Sequence, residues 1–130
     1  MFHFKLIAIV LLSTLGLIVL GLAITLLGER PKSEFDTYKE AEAAGMMQAG
    51  WIPPFIPHSS FNIKEQHDID TNIVTMSFEY RPDDTESTRE ACSSEKKIDK
   101  GIEFDCPHLS SNVTITLLNN GTGTLHSSVD

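Results

Sequence analysis

The sequence predicts an α+β protein: one N-terminal transmembrane helix, then a small domain in which a helix packs on an antiparallel sheet of about four strands. Three observations predict it. Residues 6–27 form an apolar run without a charged side chain. A helix start with capping-box spacing follows at Thr37. Beyond Phe61, segments of alternating polarity are separated by turn signals. The expected organisation is 1–28 as N-terminal tail and anchor helix, 29–36 as juxtamembrane linker and 37–130 as the soluble domain.

The apolar run, bounded by Leu6 and Leu27, has only Ser13, Thr14 and Thr25 as polar members. Its 22 residues rise roughly 33 Å as a helix, close to the ~30 Å thickness of a hydrocarbon core. Backbone groups in lipid must be satisfied internally, so such a segment is helical. A cleaved secretory signal would have a shorter apolar core and a small-x-small cleavage site. This run ends in Leu26-Leu27-Gly28-Glu29-Arg30-Pro31 without an A-x-A triplet, so the expectation is an uncleaved anchor in contact with the bilayer through residues 6–27. His3 and Lys5 on one side and Arg30 and Lys32, offset by Glu29, on the other leave the positive-inside rule undecided. The short N-terminal tail favours an exported domain.

The chain carries a formal charge of −8. Lys5, Glu29, Arg30 and Lys32 together contribute +2, so the remaining residues, 33 onward, carry −10. That charge repels nucleic acid and anionic headgroups and sets a nucleic-acid role aside. The 98 residues of 33–130 suffice for one modest core.

Thr37-Tyr38-Lys39-Glu40 has the S/T-x-x-E form in which hydroxyl and carboxylate cap reciprocally. A helix is expected from Glu40 to about Gln48, stopped by Gly50 and Pro53. Trp51-Ile52-Pro53-Pro54-Phe55-Ile56-Pro57 follows, where three prolines forbid helix and central strand. Two roles are open for it: a cover folded onto the domain's own core, or a presented interaction surface of Trp51, Ile52, Pro53, Pro54 and Phe55, at a partner or at the membrane interface, where tryptophan is favoured. Strands are expected over 61–69, 73–80, 113–118 and 124–128, with a turn at Asn119-Asn120-Gly121-Thr122-Gly123. Residues 84–97 read as polar with weak helical character, and Glu103-Phe104-Asp105-Cys106-Pro107 reads as a break.

Cys92 and Cys106 are the only cysteines. An even count in a small domain fits a disulfide and an oxidising compartment. Two free thiols in a cytosolic domain are the alternative. The spacing fits neither a redox CxxC nor a haem CxxCH, and His108 alone makes a weak case for zinc.

The sharpest candidate for chemistry is Asp68-x-Asp70-x-Asn72 with Glu79 at the twelfth position, the ligand skeleton of an EF-hand loop for calcium. Position six is Ile73, however, where the loop needs glycine, and Asp and Asn make side-chain-to-backbone turns without a metal. The histidines, His3, His58, His67, His108 and His126, show no i, i+4 pair. There is no G-x-S-x-G elbow and no phosphate-cradling glycine loop. No cofactor is implied. Asn112-Val113-Thr114 and Asn120-Gly121-Thr122 match N-x-[ST] and carry meaning only in a eukaryotic secretory setting.

The stretch 50–60, GWIPPFIPHSS, with Asn62-Ile63 and His67-Asp68-Ile69-Asp70-Thr71-Asn72, resembles small uncharacterised bacterial single-pass membrane proteins. They share a Gly-Trp-aliphatic-Pro segment and a strand running into Asp-Thr-Asn. The resemblance covers residues 38–80. It implies an envelope protein in the bacterial inner membrane with a periplasmic domain, and brings no activity or catalytic residue. The functional expectation is a non-enzymatic accessory or assembly subunit that binds another envelope protein. The alternative is a small-ligand or calcium-binding domain centred on 68–79.

Overall fold

The computed structural model describes residues 2–26 and 31–128. α1 runs Phe2–Leu26. Its side chains are described without interruption over 9–23, about 22 Å of helix at 1.5 Å per residue. Among the described residues no helix is long and apolar enough to cross a membrane. The domain is built from β1 (Lys32–Thr37), α2 (Tyr38–Ala43), β2 (Phe61–His67), β3 (Val74–Glu79), α3 (Glu86–Ala91), β4 (Ser94–Ile98), β5 (Gly101–His108), β6 (Ser111–Leu118) and β7 (Thr122–Ser128).

These strands form one antiparallel sheet in the order β1-β2-β3-β7-β6-β5-β4. The expected fold is corrected in two respects: the sheet has seven strands rather than about four, and the transmembrane helix of that expectation is not found among the described residues. Three strands were not anticipated. β1 occupies the segment expected to be linker, and its single large apolar side chain, Phe35, leaves little hydrophobic signal. β4 is exposed along nearly its whole length. β5 contains the apparent break at Asp105 and Pro107, yet alternates cleanly: Phe104 and Cys106 are buried, while Asp105 and Pro107 are exposed. Pro107 is opposite Asn112, one residue pair from the hairpin end, where a missing N–H matters little.

Alternation gives the sheet two unlike faces. One buries Ile63, Val74, Met76, Phe78, Phe104, Val113, Ile115, Leu117 and Leu125. The other presents Lys64, Thr75, Ser77, Glu79, Thr122, Thr124 and His126 as exposed side chains. Gly123 lies on the core face, where a Cβ would enter the ring of Phe78.

The core face is covered by α2, α3 and the irregular segment between α2 and β2. The hydroxyl cap forms as expected, Glu40 N–H donating to Thr37 Oγ1 at 3.2 Å, while the Glu40 carboxylate reaches one residue past the cap and accepts from Asp36 N–H at 2.8 Å. The helix is shorter than expected. It ends at Ala43 and gives way to turns through Gly45 and Gly50, both at positive φ. The proline segment is chiefly a cover, for Ile52, Pro53, Ile56 and Pro57 are buried in the core. Its carbonyls are taken up one by one. Tyr38 Oη donates to Pro54 O at 2.8 Å, Thr88 Oγ1 to Phe55 O at 2.8 Å and Ser60 Oγ to Pro57 O. Cys92 and Cys106 are joined in a disulfide that ties the end of α3 to β5. Closing this loop, with a sequence separation of 14, stabilises by roughly 3 kcal/mol in the chain-entropy account.

Thr88 is fully buried, and losing its hydroxyl leaves the Phe55 carbonyl with only the longer contact from Ser87 Oγ at 3.4 Å. Thr88→Val is expected to destabilise the domain by about 1–3 kcal/mol, and Thr88→Ser by much less. Urea unfolding of the two variants checks this; a larger loss for Thr88→Ser than for Thr88→Val would mean that the methyl group, not the hydrogen bond, matters.

Candidate functional site

A groove of about 270 Å³ with a mixed lining lies at one end of the sheet. Its floor is the core face itself, Val74, Val113, Leu125 and Ser127. One wall is the loop from Ala49 to Pro53. The others are the β2–β3 turn at Thr71 and Asn72 and the β5–β6 turn at Leu109 and Ser110.

Each wall is fixed by local chemistry. In the β2–β3 turn, the Asp70 and Thr71 N–H groups donate to Asp68 Oδ1 at 3.0 and 3.1 Å, and Asn72 takes a positive φ of 55°. This is an Asx turn, the side chain standing in for a backbone acceptor. Trp51 is half-buried and stacks on His67, ring centroids 3.8 Å apart and planes 12° from parallel. His108 Nε2 lies 3.2 Å from Gly50 O, and its ring meets the edge of Phe55.

Leu109 is the anomaly of the groove. It is 81% exposed and sits at φ 56° in a two-residue turn between His108 and Ser111. A bulky residue in the left-handed region is uncommon and costs of order 1 kcal/mol or more. Gly50, opposite, leaves it room: a Cβ there would lie 2.5 Å from Leu109 Cδ1. Ile69, 50% exposed, stands on the β2–β3 turn at the same end of the sheet. Outside α1, the only other exposed large hydrophobic among the described residues is Phe61.

Beneath Trp51 lies a buried acid–base pair. Glu65 Oε1 and His67 Nδ1 are 2.7 Å apart, and the Glu65 side chain is wholly buried. Glu65 Oε2 is the one buried side-chain nitrogen or oxygen among the described residues that lacks a hydrogen-bond partner. Burial raises the Glu65 carboxyl above the ordinary carboxylate range, offset in part by His67 and Ser33.

The structure sorts the residues expected from sequence. Of the candidate surface, Ile52 and Pro53 are buried, Pro54 is exposed, and Trp51 and Phe55 are half-buried; Trp51 and Pro53 line the groove. The calcium constellation is not assembled. Asp68, Asp70 and Asn72 are in the β2–β3 turn, whereas Glu79 ends β3, five residues beyond Val74, about 17 Å along a strand. Glu79 there accepts from Asn62 Nδ2 at 2.9 Å. Among the described residues no group of three His, Cys, Asp or Glu side chains is placed to hold a metal ion. The histidines do not converge: His58 packs on Tyr38, His67 pairs with Glu65, and His126 faces outward from the sheet. His3 has no described side chain. Leu109 and Glu65 were not singled out from sequence. The signal for Leu109 was the two-residue spacing between strands, hidden by Pro107. That for Glu65 was its place in phase with Ile63 and His67 on the buried face.

The family model of the YbbD head domain matches residues 29–79. The match takes in β1, α2, the proline segment, β2 and β3, and suggests a bacterial envelope-related protein. It supplies Trp51, Pro53, Thr71 and Asn72 to the groove, while Leu109, Val113, Leu125 and Ser127 lie outside it. No curated protein and no solved structure matches the chain.

A carboxyl whose folded pKa is raised contributes stability below its unfolded pKa, and that contribution is lost as pH rises through the folded value. Wild-type stability is therefore expected to fall as pH rises from about 4.3, the ordinary glutamate value, through the raised pKa of Glu65. In Glu65→Gln this fall should vanish and stability near neutral pH should rise. Urea unfolding at stepped pH reads both; an unchanged slope would show that Glu65 does not titrate in this way.

Proposed function

We propose that this chain is a non-enzymatic envelope protein, held at the bacterial inner membrane by its N-terminal apolar segment, with a periplasmic domain that binds another envelope or membrane protein through the Trp51–Leu109 groove. The observation that carries the reading is Leu109, a large apolar side chain kept exposed at a strained backbone position beside an apolar-floored groove. A glycine or asparagine would fit that turn better, so the leucine is explained by what it touches rather than by folding.

Several features support the placement. The large apolar side chains described in α1, among them Ile9, Leu12, Leu17 and Ile18, are exposed, a surface that water does not tolerate over such an area. The Cys92–Cys106 disulfide suits an oxidising compartment. Residue 31 is five residue steps from Leu26, a reach of at most about 18 Å. His67 N–H donates to Pro31 O, so the chain enters the domain at the end that carries Ile69, Leu109 and the groove. A groove at that end suits a partner that is itself in or on the membrane.

The test is gentle detergent extraction of the tagged full-length chain from its own cells, followed by mass spectrometry, for wild type and Leu109→Asp. At so exposed a position, and with aspartate better suited than leucine to a left-handed backbone, the substitution should not destabilise the domain. A salt-resistant stoichiometric partner present with wild type and lost with Leu109→Asp is the expected result. A partner retained by the variant would move the binding surface away from the groove.

A further inference from the structure

The sheet's second face is open from edge to edge, and its charges are ordered. One row of side chains crosses all seven strands in register: Glu34 on β1, Lys64 on β2, Ser77 on β3, Thr124 on β7, Thr116 on β6, Glu103 on β5 and Lys96 on β4. The central member is Thr124. On one side of it the charges run Lys64 then Glu34; on the other, Glu103 then Lys96, 4.0 Å apart. Read from either end, the row meets its own reverse with opposite charges.

We propose that two copies of the chain stack through this open face about a two-fold axis parallel to the strands, passing over β7. That axis sets Lys64 of one copy against Glu103 of the other, Glu34 against Lys96, and Thr124 against itself. The neighbouring row, from Lys32 through Gln66, Thr75, His126, Thr114 and Asp105 to Ser94, then sets Gln66 against Asp105, with no carboxylate opposed to a carboxylate and no lysine to a lysine along it. A two-fold perpendicular to the strands would lay every strand over its own copy, opposing Lys64 to Lys64 and Glu103 to Glu103. Electrostatics therefore selects the first axis.

A second argument selects the same axis and rests on the membrane attachment proposed above. Rotation about an axis parallel to the strands leaves both Pro31 ends at the same end of the pair, so both chains reach one bilayer. The perpendicular axis would send them in opposite directions.

Six strand spacings of ~4.8 Å and strands of roughly 18–20 Å give an open face of about 500–600 Å² per copy. The total, roughly 1,000–1,200 Å², lies at the lower limit of specific interfaces. The pair is therefore weak in free solution and is favoured where attachment to a membrane raises the local concentration.

The test uses the full-length chain in its own membranes with a reporter cysteine, Thr124→Cys, and mild oxidation. The expected product is a covalent dimer of this chain, absent when the reporter is Lys39→Cys on α2. Lys64→Glu and Glu103→Lys, each breaking two symmetry-related pairs, should each lower cross-linking by about tenfold. The double swap should restore it. Within one chain these residues are four strands apart, too far to couple, so rescue reports contact between copies. Equal cross-linking from both reporters, no rescue by the double swap, or a product with a different protein would each overturn the proposal. Carbonate extraction of the same membranes reads the attachment separately: a dimer formed by a chain that carbonate releases would keep this interface and remove the anchored placement.

Discussion

The arrangement depends on one requirement: the irregular chain between α2 and β2 must lie on an apolar sheet without leaving its peptide groups unsatisfied. Prolines at 53, 54 and 57 have no N–H to satisfy, so the need falls largely on carbonyls, and side chains from elsewhere meet it. Tyr38 comes from α2, Thr88 from α3, His108 from the end of β5 and Ser60 from the segment itself. Each also fixes its own element against the segment. The layer over the core is therefore a set of mutually dependent anchors rather than a helix with its own internal bonds, and the disulfide ties α3, one of its principal suppliers, to the sheet.

Legibility in the sequence followed how far each feature was local. The hydroxyl cap at Thr37, the strands over Phe61–His67 and Val74–Glu79, the Asx turn at Asp68 and the hairpin near Gly121 are all set by neighbours within a few residues. β1 and β4 lie at the two edges of the sheet, where one flank is unpaired and polar residues are tolerated on both faces. β1 gains its conformation from β2, distant in sequence, and β4 from a hairpin with β5, whose own pattern was obscured; neither leaves an alternating signature. β5 did alternate, but Asp105 and Pro107 on its outward face gave the composition of a break. The site was legible in part. Trp51 was marked by its setting, whereas Leu109 and Glu65 acquire meaning only when β5–β6 and β2 are brought against the proline segment.

The two ends of the sheet differ for the same reason. At the end where the chain enters, Leu109 holds a left-handed backbone and Asn72 another, and the Glu65–His67 pair lies buried beneath Trp51. Strain, exposed apolar surface and an unpartnered buried oxygen all lower stability, and a well-packed neighbouring core is what allows them to persist. At the opposite end, Tyr80 Oη donates to Leu118 O, Gly121 carries the only positive φ of its turn, and Asn62 takes a positive φ in the β2 bulge.

The edges of the sheet bear on how it associates. An exposed edge strand invites pairing by its free N–H and C=O groups, and charged side chains along it are the usual deterrent. β4 carries Glu95, Lys96 and Lys97 in succession, and β1 carries Lys32, Glu34 and Asp36. End-to-end growth of the sheet would bring these charged edges together with strand register left unspecified. The open face differs. In the row from Glu34 to Lys96 its charges form two pairs of opposite order on either side of Ser77, Thr124 and Thr116, so that a reversed copy matches them. A surface guarded at its edges and self-complementary on its face directs association into a closed pair rather than an extending sheet, because a two-fold stack uses the face completely and leaves nothing to propagate.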